Sequence, residues 1–165
     1  MITDELTREF PKYKLVMKQK SKLMKFMYFF IKPISPAYMT DFITVIGYTV
    51  YMPEIYIGTI AGAGALVHER QHMRDYRKFG ILYLISYLFL LPSVFSFRAM
   101  WEWRGYRESM KFNYAWFGML PQDYLERIVE EFTSARYLWM FPFKKIMRGI
   151  VTRAAAQIKA ELVNG

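Results

Sequence analysis

Apolar side chains recur along the chain at two different intervals, and the change between them divides it into elements. From Lys12 to Phe30, lysines at 12, 14, 18, 20, 22 and 25 are set among Tyr13, Val16, Met17, Leu23, Met24, Met27 and Phe30. Apolar positions three to four apart predict one basic amphipathic helix ending near Pro33. Between Met39 and Pro53 the pattern changes. Phe42 to Ile46 and Tyr48 to Met52 are rich in β-branched and aromatic residues, are separated by Gly47 and stop at Pro53, which predicts two short strands and a tight turn. Helical spacing returns from Thr59 to Phe79. Small residues at Ala61-Gly62-Ala63-Gly64 would let another element approach closely, and Gly80 is well placed to end this helix.

The stretch from Phe79 to Phe97 carries no charge between its ends and is nearly long enough to span a bilayer. Pro92, Ser93 and Ser96 interrupt its second half, and spanning would push the helices on either side of it to opposite membrane faces. The preferred expectation is therefore a buried segment with a turn at Leu91-Pro92. Arg98 to Glu108 reads as the next helix. Gln122 to Arg136 follows with Tyr124, Leu125, Ile128, Val129 and Phe132 inward. A bulky connector, Tyr137 to Phe143, leads to a final helix from Lys144 to Leu162. The fold class expected is α+β: one domain over 1–165, predominantly helical, with a small antiparallel β-hairpin before the helix at 59–79.

Composition changes this picture in three ways. A hydrophobic fraction of 54% and an aromatic fraction of 19% are high for a soluble protein and point to membrane contact or to burial in a larger assembly. Residues 12–31 and 79–97 are the segments open to peripheral membrane contact. The net charge of +9 comes largely from the lysine-rich stretch and bears on association, with a solvated helix face as its plainest use and nucleic acid disfavoured as a partner. Cysteine is absent, which removes disulfides and thiolate ligands. Met1 to Phe10 lacks the basic-then-apolar order of a secretory signal, so the expected location is cytoplasmic or within a virion, with membrane association open.

Candidate chemistry centres on His68-Glu69-Arg70-Gln71-His72. On a helix the two histidines lie one turn apart on one face, so both imidazoles reach a single ion while Glu69 points beside it. Neutral imidazole suits zinc, and an open ligand position lets a coordinated water lose its proton near neutral pH with the intervening glutamate as base. A surface pair or two satisfied core side chains would show the same spacing. Against coincidence, the chain has two histidines and both fall in this motif. The third ligand would come from the helix after residue 97, where Glu102 and Glu108 both qualify by type. Six residues apart, they lie on different helix faces, so one of them faces the metal and the other is left to salt bridges with Arg98, Arg104 or Arg107. Tyr106, one turn after Glu102, could support a ligand or steady an oxyanion.

HERQH in a helix, a strand pair before it, and Glu102-Trp103-Arg104-Gly105-Tyr106 after it resemble the gluzincin class of zinc metallopeptidases, including minimal members encoded in phage genomes. The resemblance extends over roughly residues 39 to 110. It implies Glu102 as third ligand beside His68 and His72, Glu69 as catalytic base, Zn2+ as cofactor and a peptide or protein as substrate. It also implies that the strand before the motif could hold an extended peptide by main-chain pairing; a hairpin that only packs under the helix is the other use. Gly105 stands where alanine is usual in that class. No further histidine exists for the transition-state role seen in larger gluzincins, so a second function is carried forward: a non-catalytic zinc-stabilised docking protein of an assembly such as a phage virion.

Overall fold

The computed structural model describes residues 2–33, 35–88, 97–135 and 139–163. Its architecture is α+β and mostly helical, with seven α-helices and one three-stranded sheet among the described residues. Internal contacts gather the chain into two compact units, Met1–Met73 and Arg74–Gly165.

The first unit opens with α1 (Ile2–Glu9), which buries Leu6. Strand β1 (Lys14–Met17) follows, then α2 (Lys22–Ile31), whose first turn is capped by Ser21 accepting from the Met24 N–H at 3.2 Å. The expected hairpin is present as β2 (Thr44–Ile46) and β3 (Thr49–Met52), antiparallel with Thr44 opposite Tyr51. Gly47 turns it at a φ of 61°, a left-handed value that suits glycine. The sheet is mixed, because β1 pairs in parallel with β3, Lys14 opposite Thr49 and Met17 opposite Met52, giving the order β1-β3-β2.

That parallel strand corrects the expectation of a single basic helix from Lys12 onward. Residues 14–17 satisfy their backbone groups on the open side of the hairpin, a pairing across more than thirty residues of chain that local periodicity does not encode. The helix begins only at Lys22.

Alternation along β3 buries Val50 and Met52, which pack with Leu6, Phe10, Leu66 and Met73 into the core of this unit. Leu66 and Met73 belong to α3 (Ile60–Phe79), seven residues apart on one helix face. Thr59 caps α3, its Oγ1 accepting from the Gly62 N–H at 3.0 Å. The close approach expected at the small residues is made by backbone: a Cβ added at Gly62 would stand 1.9 Å from the Tyr56 carbonyl oxygen. At the other end Gly80, at φ 55°, donates to the Tyr76 carbonyl at 2.7 Å and closes the helix.

The second unit comprises the end of α3 with α4 (Ile81–Leu88), α5 (Phe97–Phe117), α6 (Gln122–Thr133) and α7 (Lys144–Val163). Its core joins Met110 of α5, Leu125, Ile128, Val129 and Phe132 of α6, and Met147, Val151, Ala154 and Ile158 of α7. The inward face of α6 is the one its spacing predicts.

α4 departs from the expected buried segment. It buries Tyr83 against Trp101 but leaves Ile81 and Leu82 65% and 66% exposed, since an eight-residue helix seated through one face has its remaining apolar positions in solvent. The Leu91-Pro92 turn lies outside the described residues. No described helix is long and apolar enough to cross a membrane. Of the connector before α7, Met140 joins the core while Trp139 is exposed at a φ of 47°; Tyr137 and Leu138 lie outside the described residues.

Candidate metal centre

The histidines stand on α3. His68 and His72 are one turn apart, their Nε2 atoms 3.0 Å from each other and their rings inclined at 71°. His72 is buried at 6% exposure. Two nitrogens bound to one tetrahedral zinc, each at about 2.0–2.1 Å, stand about 3.3 Å apart. The pair is thus within a few tenths of an ångström of the spacing two ligands of one ion require.

α1 braces the motif between the histidines. Arg70 donates from Nη1 to Glu5 at 3.0 Å and from Nε to Glu9, so two carboxylates four residues apart grip one guanidinium. Glu69 acts on Lys18, which is fully buried. The Lys18 ammonium donates to the carbonyls of Tyr38 at 2.7 Å and Phe42 at 2.6 Å and to Thr44 Oγ1 at 3.0 Å. It also lies 3.5 Å from the centre of the Tyr38 ring. Burial pushes its pKa down to about 7, and the Glu69 charge opposes that fall.

In the second unit Glu102 sits on α5 and accepts a hydrogen bond from the Tyr87 hydroxyl of α4. Burial, and then the Glu102 carboxylate, hold the Tyr87 phenol well above its usual range. Arg98 lies 5.5 Å from the centre of the Tyr87 ring. Next to it Trp101 donates from Nε1 to Ser86 Oγ at 3.0 Å and packs its buried ring on Phe79 and Tyr83. Asp75, buried at 1% exposure, is held by Arg104 at 2.8 Å.

One ligand atom from each of His68, His72 and Glu102 lies within 4.8 Å of the others. Two imidazoles and one carboxylate form a donor set that zinc accepts with a ligand position left over. Among the described residues Glu108 is outside this group; it pairs with Lys111 at 3.3 Å, while Arg104 goes to Asp75.

Tyr106 is placed by its ring. Its ring packs 5.5 Å from Phe132 against the second-unit core, and the hydroxyl on Glu102 is that of Tyr87. Sequence reasoning missed Tyr87 because it sits inside an uncharged run read only for its length. The Glu5 and Glu9 pair was within reach, since acids four apart on a helix present one face to an arginine.

No protein-family profile, curated protein or solved structure matches the chain.

Proposed function

We propose that the chain is a zinc-dependent metallopeptidase of the gluzincin kind, with His68, His72 and Glu102 as metal ligands and Glu69 as general base. The observation that carries this reading is the convergence of one donor atom from each of those three side chains within 4.8 Å. Zinc, when bound, would supply a Lewis acid and make a water in its open position acidic.

The chain's own residues supply the rest. Glu69 is turned about 100° around the helix from His68, beside the ligands and outside their set. From there it takes a proton from the attacking water and passes it to the leaving amine. Tyr87 keeps the Glu102 carboxylate in one orientation through its hydroxyl. β3 is paired on both sides, so a substrate strand added by main-chain pairing would use β1 or β2, the outer strands of the sheet.

A second reading, a zinc-stabilised docking protein of an assembly such as a virion, is favoured by the histidine count. Both histidines are spent on the ligand set, which leaves no imidazole to stabilise an oxyanion.

Metal content measured together with cleavage of a generic unfolded protein separates the two. A peptidase carries stoichiometric zinc and cleaves. Its Glu69→Gln variant keeps zinc and fold but loses at least about a hundredfold in turnover, the scale for removing a positioned acid or base. A docking protein carries zinc, cleaves nothing, and keeps its assembly function in Glu69→Gln while losing it in His68→Ala. Cleavage undiminished in Glu69→Gln would refute the proposed mechanism.

A further inference from the structure

α2 has two apolar faces, and one of them is largely exposed. At 100° per residue, Met24, Met27, Tyr28 and Ile31 share the inward side. Met24 is fully buried there, and the Tyr28 hydroxyl is fixed by donating to the Pro36 carbonyl at 3.0 Å. The opposite side carries Leu23, Phe26 and Phe30, with Phe29 beside them, at exposures of 45%, 65%, 61% and 77%. Phe30 stands edge-on to both Phe26 and Phe29, with ring centroids 5.3 and 5.2 Å away, so the rings form one apolar ridge.

The charge around the ridge is of one sign. Lys25 and Lys32 are exposed along one edge of it, Lys22 is exposed at its first turn, and Lys12, Lys14 and Lys20 are exposed in the segment before. No aspartate or glutamate occurs between Glu9 and Asp41. An aromatic ridge rimmed by lysines matches the boundary of an anionic bilayer, where rings enter the acyl region and ammonium groups remain among the headgroup phosphates. A second copy of the chain suits this face poorly, because burying the ridge against itself would bring Lys22, Lys25 and Lys32 against their own counterparts.

We infer that the outward face of α2 seats this protein on an anionic lipid surface, with Leu23, Phe26, Phe29 and Phe30 inserted and Lys22, Lys25 and Lys32 at the headgroups. At ten residues the helix is about 15 Å long. It lies in the interface and does not cross it. The inference is independent of the proposed peptidase activity.

The test is co-sedimentation of the full chain with vesicles of phosphatidylcholine alone and of phosphatidylcholine mixed with phosphatidylglycerol, at low and high salt. Binding to the mixed vesicles that weakens with salt, and little binding to phosphatidylcholine, is expected. The double variant Phe26→Ser/Phe29→Ser should lose at least about tenfold in partitioning, the scale for one large apolar side chain. Both rings are exposed, so its melting temperature should match the wild type. Should that variant misfold, Lys22→Glu/Lys25→Glu provides the same test through charge and should abolish binding to the mixed vesicles. Equal binding to both vesicle types, or wild-type binding by a folded double variant, would overturn the inference. So would failure to bind vesicles combined with self-association, or capture by an acidic peptide, that the phenylalanine substitutions abolish.

Discussion

Lys18 is the residue whose setting departs furthest from what its type suggests. Lysine at that position in a basic stretch reads as solvent-facing, yet its ammonium is enclosed by two carbonyls, a hydroxyl and an aromatic ring. Burial brings its pKa from 10.5 to about 7 in the folded chain. Between those values the unfolded chain holds a proton that the folded chain has released, so ν_U exceeds ν_N and this group makes stability rise with pH across the window. Below about 7 both states are protonated and the desolvation cost is felt in full. Melting temperature followed from pH 6 to pH 10 should therefore climb more steeply in the wild type than in Lys18→Met; parallel curves would show that the ammonium is not desolvated as described. Tyr87 gives a second test at this scale. Tyr87→Phe removes the donor to Glu102 while keeping the ring, so zinc affinity should fall about tenfold or more, with the metal-free melting temperature little changed. Unaltered affinity would mean that Glu102 needs no such support. Neither residue's role was legible locally, because each depends on partners brought together by the fold. The pairing of the two histidines was legible, since helix geometry alone sets their spacing.

Among the elements, those defined by their own period or punctuation were readable in advance. The hairpin followed from β-branched runs around Gly47, α3 from its spacing and Gly80, and α6 from five inward apolar positions. β1 was not readable, because short mixed runs of lysine and apolar residues fit helix and strand alike until a partner strand is known. The start of α3 offers a test of how tightly elements meet. Alanine at position 62 would gain about 1 kcal/mol of helix propensity over glycine. Its Cβ, however, would fall 1.9 Å from the Tyr56 carbonyl oxygen, a backbone atom that cannot rotate aside. Gly62→Ala should therefore destabilise by about 1–3 kcal/mol, the usual range for overpacking, as read from the denaturant midpoint. A neutral or stabilising result would mean that the turn at Glu54–Tyr56 yields easily.

For the molecule as a whole, metal and fold should be linked if His68, His72 and Glu102 hold one ion. An ion bound by the native state and not by the unfolded chain raises stability by RT ln(1 + [L]/Kd), or about 2.7 kcal/mol at a hundredfold excess over Kd. Zinc should thus raise the melting temperature, a chelator should lower it, and His72→Ala should abolish both responses. Identical melting of the wild type with zinc and with chelator would remove the metal from the account. The place where the two compact units divide carries one more consequence. Residues Met73 and Arg74, on either side of that division, are consecutive positions of the twenty-residue helix α3. Gene fragments encoding 1–73 and 74–165 would each inherit a severed helix, one with carbonyls and the other with N–H groups lacking their next turn. Modular dissection, the ordinary route to assigning activities to halves of a chain, should leave each half with a frayed end of α3, and recombination with other proteins would have to carry α3 whole.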